Sequence, residues 1–225
     1  MSEVLPPEEP GHAAESGTRH EVRHEIVELF KLVALFLVIF IGLKSFVLAG
    51  YEVQGPSMYP TLEDRERILV WKLPHELHKL PLFGWVQPFE RSDIIVFNST
   101  VEPNKRYVKR IVAMGPAAER DDTVAAGTVE PEDESHPVKV TYEEGRIFVD
   151  DTQINEPYLQ DEERTSYEKR EPIMLGPGQY YVLGDHRSVS KDSRSFGAID
   201  DSQIIGEAVF RFWPPSRFGL IRDVR

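Results

Sequence analysis

The chain has 225 residues, 40% of them hydrophobic, enough for one well-buried domain plus an anchoring segment and too few for two large domains. Its 38 acidic residues outnumber 26 basic ones for a formal charge of −12, and no basic block could neutralise a phosphate backbone, which argues against nucleic acid as a partner. Without cysteine there is neither disulfide nor thiolate chemistry, and the seven histidines form no His-x-x-x-His or similar cluster, so no metal and no cofactor are expected.

Residues 1–28 read as a disordered tail, because the first 20 are rich in Pro, Glu, Gly and Ser and hold almost no large apolar group. Leu32 to Leu43 then carries no charge. With Leu29, Phe30 and the continuation Phe46 to Ala49 it predicts a transmembrane helix over 29–49, about 20 residues long and bracketed by Lys31 and Lys44. A buried core helix, or a signal peptide cut after Val47-Leu48-Ala49, are the other readings of that stretch. Basic residues on the two sides are balanced and leave the orientation undecided.

From residue 50 to 225 the pattern changes to short β-branched and aromatic runs between Gly, Pro and Asp. The runs are Arg67 to Lys72, Asp93 to Phe97, Tyr107 to Met114, Val138 to Tyr142, Arg146 to Val149, Gln179 to Leu183 and Ala208 to Trp213. They predict one mainly β domain of antiparallel sheet, with a hairpin turn at Glu143-Glu144-Gly145. The acidic stretch 117–137 lacks periodicity and reads as a surface insertion.

Three segments carry chemistry. In Gly55-Pro56-Ser57-Met58-Tyr59-Pro60 two prolines stiffen the chain around a serine, which suits a nucleophile that must be held in one orientation. A serine hydroxyl needs a base. His186 is one candidate, in a loop rich in polar groups; the other is Lys109, inside the apolar run Tyr107 to Val112, where burial would disfavour the ammonium and leave a basic amine. The third segment is the loop Gly184 to Gly197, dense in donors and acceptors, in which Asp192 and Arg194 are spaced to pair.

Together these segments resemble the bacterial type I signal peptidases, serine-lysine endopeptidases of the membrane. The boxes Ser57 to Leu62, Arg91 to Phe97, Tyr107 to Val112 and Gly184 to Gly197 match in order, with Gly145 to Leu159 and Ile205 to Ile221 also similar. The resemblance implies Ser57 as nucleophile, Lys109 as general base, Ser190 hydrogen-bonding Lys109, and Asp192 pairing with Arg194 and Arg110. His186, standing where the family commonly has asparagine, then takes a structural role. A coiled antiparallel sheet fold is implied, with an anchor in the bacterial plasma membrane and the catalytic domain outside the cytoplasm. The substrates would be secretory preproteins, met at the bilayer beside the translocation machinery by a monomeric enzyme. The cleavage-site peptide would lie along Tyr51, Val53, Gln54, Met58, Tyr107 and Val108. Rival readings are a serine-lysine processing protease of other specificity and a silent membrane binding protein of the same fold.

Overall fold

Residues 14–42, 47–83, 88–116, 136–164 and 170–221 are described in the computed structural model. The chain divides into two units, Met1–Ser45 and Phe46–Arg225.

The first unit holds one helix, α1 (Ala14–Gly42). It starts within the stretch expected to be disordered, because extending a helix already nucleated by the apolar run adds one hydrogen bond per residue and needs no new nucleus. Its large apolar side chains from Ile26 to Ile41 are exposed, with Phe36 stacked on Phe40 at 5.9 Å and Lys31 paired with Glu28 at 2.8 Å. Glu25, Glu28 and Lys31 interrupt the apolar character, and the uncharged part, Leu32 to Gly42, covers only about 16 Å at 1.5 Å per residue. Among the described residues no helix is long and apolar enough to cross a membrane.

The expected helix also ends too late at Ala49. Leu48 and Ala49 belong to strand β1 (Leu48–Glu52), where they pair with Trp71 and Val70 of β2 (Arg67–Trp71). A cut after Ala49 would sever that strand. Following β2 come α2 (Leu73–His78), β3 (Ile94–Asn98), β4 (Arg106–Met114), β5 (Val138–Glu143), β6 (Arg146–Val149) and β7 (Thr152–Gln153). The chain closes with β8 (Ile173–Leu175), β9 (Gln179–Leu183), α3 (Ser193–Phe196), β10 (Ile199–Asp200), β11 (Ile204–Trp213) and β12 (Gly219–Leu220).

All pairings are antiparallel. The larger sheet has the order β1-β2-β11-β3-β4-β9-β10 with β12 beside β11, and the smaller one β7-β6-β5-β8. Every predicted run falls on a strand. The β5–β6 hairpin turns through Glu144 and Gly145, both at positive φ (50° and 76°), the backbone that a two-residue primed turn requires. The insertion expected at 117–137 has its residues 117–135 outside the described residues.

Three apolar clusters fix the domain. Val53, Met58, Leu62, Ile68, Val70 and Val96 pack together beside the Ser57 segment. Ile95, Phe97, Ile111, Val182 and Ile199 form a second cluster, and Val112, Tyr142, Ile147, Leu175 and Tyr181 join the two sheets in a third. Pairing along β4 is uneven. β3 runs beside it from Arg106 to Arg110, whereas β9 meets its other edge only from Arg110 onward. Arg106 to Lys109 therefore present an open strand edge.

Candidate active site

Lys109 lies on β4 opposite Ile95, 3% exposed, on the side of the strand that also carries Tyr107 and Ile111. Its Nζ is 2.8 Å from Ser57 Oγ and 2.9 Å from the Val108 carbonyl oxygen. Burial among apolar groups lowers the ammonium to about 8, against the opposing pull of the Asp192 and Asp185 carboxylates. An amine so placed is neutral in an appreciable fraction of molecules near pH 7 to 8, and it can then accept the hydroxyl proton of Ser57.

The segment bearing Ser57 is held from several sides. Two backbone bonds close its base, Val53 N–H to the Glu66 carbonyl and Arg65 N–H to the Val53 carbonyl, both at 2.8 Å. Gly55, at φ 84°, donates its N–H to Asp64 Oδ1 at 2.6 Å, a turn conformation that a side chain would strain. Tyr59 N–H reaches the Pro56 carbonyl, and the His186 N–H donates to the Ser57 carbonyl at 3.1 Å. The His186 ring meets the Pro56 carbonyl through Nδ1 (3.2 Å) and Glu163 through Nε2 (3.4 Å), a bracing position rather than that of a base.

Beneath this segment is a buried ion pair. Arg110, next to Lys109 but pointing to the other face of β4, grips Asp185 with Nε to Oδ1 at 2.8 Å and Nη2 to Oδ2 at 2.7 Å, each partner 1% exposed. Its Nη1 donates to the Ser92 carbonyl, and the Thr61 hydroxyl donates to Asp185 Oδ2 at 2.5 Å. The pair thus ties the four matched boxes together. The expected Arg110–Asp192 pairing is corrected, because β9 aligns Leu183 with Arg110 and so delivers Asp185, two residues on, to the guanidinium. Asp192 and Arg194 do pair, at 2.9 Å through both Nε and Nη2, and Asp192 Oδ2 accepts the Gly184 N–H.

Two more expectations are corrected. Ser190 Oγ is buried and has no hydrogen-bond partner among the described residues, since the Lys109 amine bonds instead to Ser57 and to its own strand's Val108 carbonyl. It lies against Gly184, where an added Cβ would come within 2.2 Å of Ser190 Oγ and 2.4 Å of the Ser57 carbonyl oxygen; only glycine fits there. Met58 is fully buried in the core, because the turn that brings the Leu62 N–H to the Met58 carbonyl directs it inward. Tyr51, Val53, Gln54, Tyr107 and Val108 do line a cleft of about 470 Å³ that also holds Ser57 and Lys109.

The sequence-based reading assigns no role to Asp185 or Thr61, although both stand inside the matched boxes. The buried Arg187–Glu156 pair is equally silent there. A signal for Asp185 exists: an acid two residues beyond the end of a strand that neighbours the one carrying Arg110.

A family model described as "Signal peptidase, peptidase S26" matches residues 26–122 and 137–213. The chain belongs to this family. It is accordingly a serine peptidase, a hydrolase. A curated relative, signal peptidase IB of Staphylococcus aureus (strain COL), is 31% identical over 212 residues, covering 88% of this chain and 94% of its own. Signal peptidase I of Bacillus caldolyticus is 30% identical over 189 residues, covering 79% of this chain and 86% of its own. A solved signal peptidase I from Enterococcus faecalis V583 is 24% identical, with a TM-score of 0.37, over 54% of this chain and 97% of that one.

Proposed function

We propose that this peptidase removes N-terminal signal peptides from secreted preproteins with a Ser57–Lys109 dyad. The observation that carries the reading is the desolvated Lys109 amine at 2.8 Å from the Ser57 hydroxyl, in an open-edged cleft. Neutral Lys109 takes the Ser57 hydroxyl proton as Oγ bonds to the scissile carbonyl carbon. The resulting ammonium gives that proton to the departing amine as the peptide C–N bond breaks, leaving an ester on Ser57. Lys109 then takes a proton from water, the hydroxide oxygen attacks the ester, and the Ser57 oxygen leaves with the proton held by Lys109. The Ser57 backbone N–H is the donor assigned to the oxyanion, since Pro56 has none.

The substrate adds as an extended strand along the free edge of Arg106 to Lys109, facing Tyr51 to Gln54, with small side chains at the first and third positions before the cut. The apolar part of α1, with the residues that follow it up to β1, holds the enzyme at the bacterial plasma membrane as a monomer, with the β domain on the outer side near the translocation machinery. The exposed Leu, Ile, Val and Phe side chains of α1 favour contact with lipid.

The test is cleavage of a preprotein by the purified full chain in detergent across pH 6 to 9.5. The mature fragment is expected to appear, and kcat/KM to rise by about tenfold between pH 7 and pH 9 with a midpoint near the value set by burial, about 8. An intact preprotein, or a midpoint near the histidine range of about 6.5, would reject the dyad.

A further inference from the structure

At the start of β4, Arg106 projects across the cleft to Tyr51 on β1, its guanidinium carbon 5.4 Å from the ring centroid. The two residues belong to different strands that line the cleft, so their contact bridges it. The other charged groups nearby are already engaged. Glu102 binds Lys105, the Tyr107 hydroxyl and Lys191, which hold its carboxyl at about 2, and Glu52 pairs with Arg67 at 3.4 Å. Among the described residues Arg106 has no carboxylate partner, and it is exposed.

Arg106 precedes Lys109 by three residues, about 10 Å along a strand. With the scissile bond at Ser57 and the residues before it laid beside Val108, Tyr107 and Arg106, the fourth residue before the cut reaches the guanidinium. We propose that the Arg106–Tyr51 bridge is a specificity-determining subsite that favours an acidic side chain at that fourth position and disfavours a basic one. This subsite presupposes the signal-peptide cleavage proposed for the dyad and adds a charge preference to it. A guanidinium held against an aromatic ring keeps its edge free to bind a carboxylate with two parallel N–H donors, and the ring limits its rotamers beforehand.

The test compares kcat/KM for three preproteins that differ only in carrying Asp, Ala or Lys at that position. Wild type is expected to cut the Asp substrate about fivefold better than the Lys substrate at low salt, the scale of a part-exposed ion pair, with the ratio shrinking at about 0.5 M NaCl. Arg106→Ala should bring the ratio close to one, Arg106→Glu should invert it, and Arg106→Lys should retain part of it. A wild-type ratio of one, or the same ratio in Arg106→Ala, overturns the subsite while leaving the peptidase function intact. Failure of wild type to cut any of the three overturns both.

Discussion

Lys109→Met is expected to lower kcat/KM on a preprotein by about 10⁴-fold, matched by a loss of the same order in Ser57→Ala. The two groups act as a unit, so the double variant should be no worse than either single one. Methionine keeps much of the length and the apolar stem of lysine, and the loss therefore reports the amine rather than a cavity. The same change should make the domain more stable at neutral pH. In the folded chain burial lowers the Lys109 ammonium to about 8, below the ordinary lysine value of about 10.4, so between those values the unfolded chain binds the proton more tightly. The penalty of burying that charge is fully present below pH 8 and disappears as pH rises past the unfolded value. The gap of about 2.4 between these values, at about 1.4 kcal/mol for each tenfold, gives a gain on the order of 3 kcal/mol for the methionine variant at pH 7, vanishing by about pH 10.5. Denaturant unfolding of both proteins at pH 7 and pH 10.5 measures it. A variant whose advantage over wild type is the same at both, or one less stable than wild type at pH 7, would contradict the buried-charge account.

The second large effect is structural. Arg110→Met should destabilise the domain by about 3–5 kcal/mol, because it leaves the Asp185 carboxylate, 1% exposed, with a hydroxyl in place of a guanidinium fork. Adding Asp185→Leu should recover most of that loss, since an apolar pair of similar volume replaces both charges. Activity, by contrast, should stay low in the double variant, because the Thr61 hydroxyl loses the carboxylate that holds the Ser57 segment. Urea midpoints of the two single variants and the double separate these outcomes. A single-variant loss below about 1 kcal/mol would mean that the Arg110–Asp185 pair does not clamp the domain.

The two members of the proposed dyad are legible only in part from local signals. Ser57 stands between two prolines and Lys109 inside an apolar strand, which marks both as candidates, but His186 is an equal candidate base on those grounds and the choice of Lys109 comes from the resemblance. The longer strands are legible because β-branched and aromatic runs bounded by turn residues carry their own signal. β1 is not, because Leu48 and Ala49 continue the apolar composition of the helix before them, and only pairing with Trp71 and Val70 makes them a strand. The two-residue strands β7, β10 and β12 exist through their partners and have no period of their own.

Register is what the sequence leaves open. Which acid Arg110 meets depends on how β9 aligns with β4, and Asp185 and Asp192 both lie within the same loop. The same limit applies to Ser190, whose neighbour Gly184 is set by loop closure, and to Met58, whose inward direction follows from the turn to Leu62. The start of α1 at Ala14 is hidden for another reason, since composition alone predicts an unfolded tail wherever apolar groups are scarce.

The most direct measurement is an NMR titration of the Lys109 side chain, labelled at Cε and assigned by the signal missing from Lys109→Arg. A midpoint near pH 8 in the native enzyme, moving to about 10.4 on unfolding, is the predicted result. A native midpoint at or above about 10.4 would leave the amine fully protonated while the enzyme works, and the Ser57–Lys109 account would be wrong.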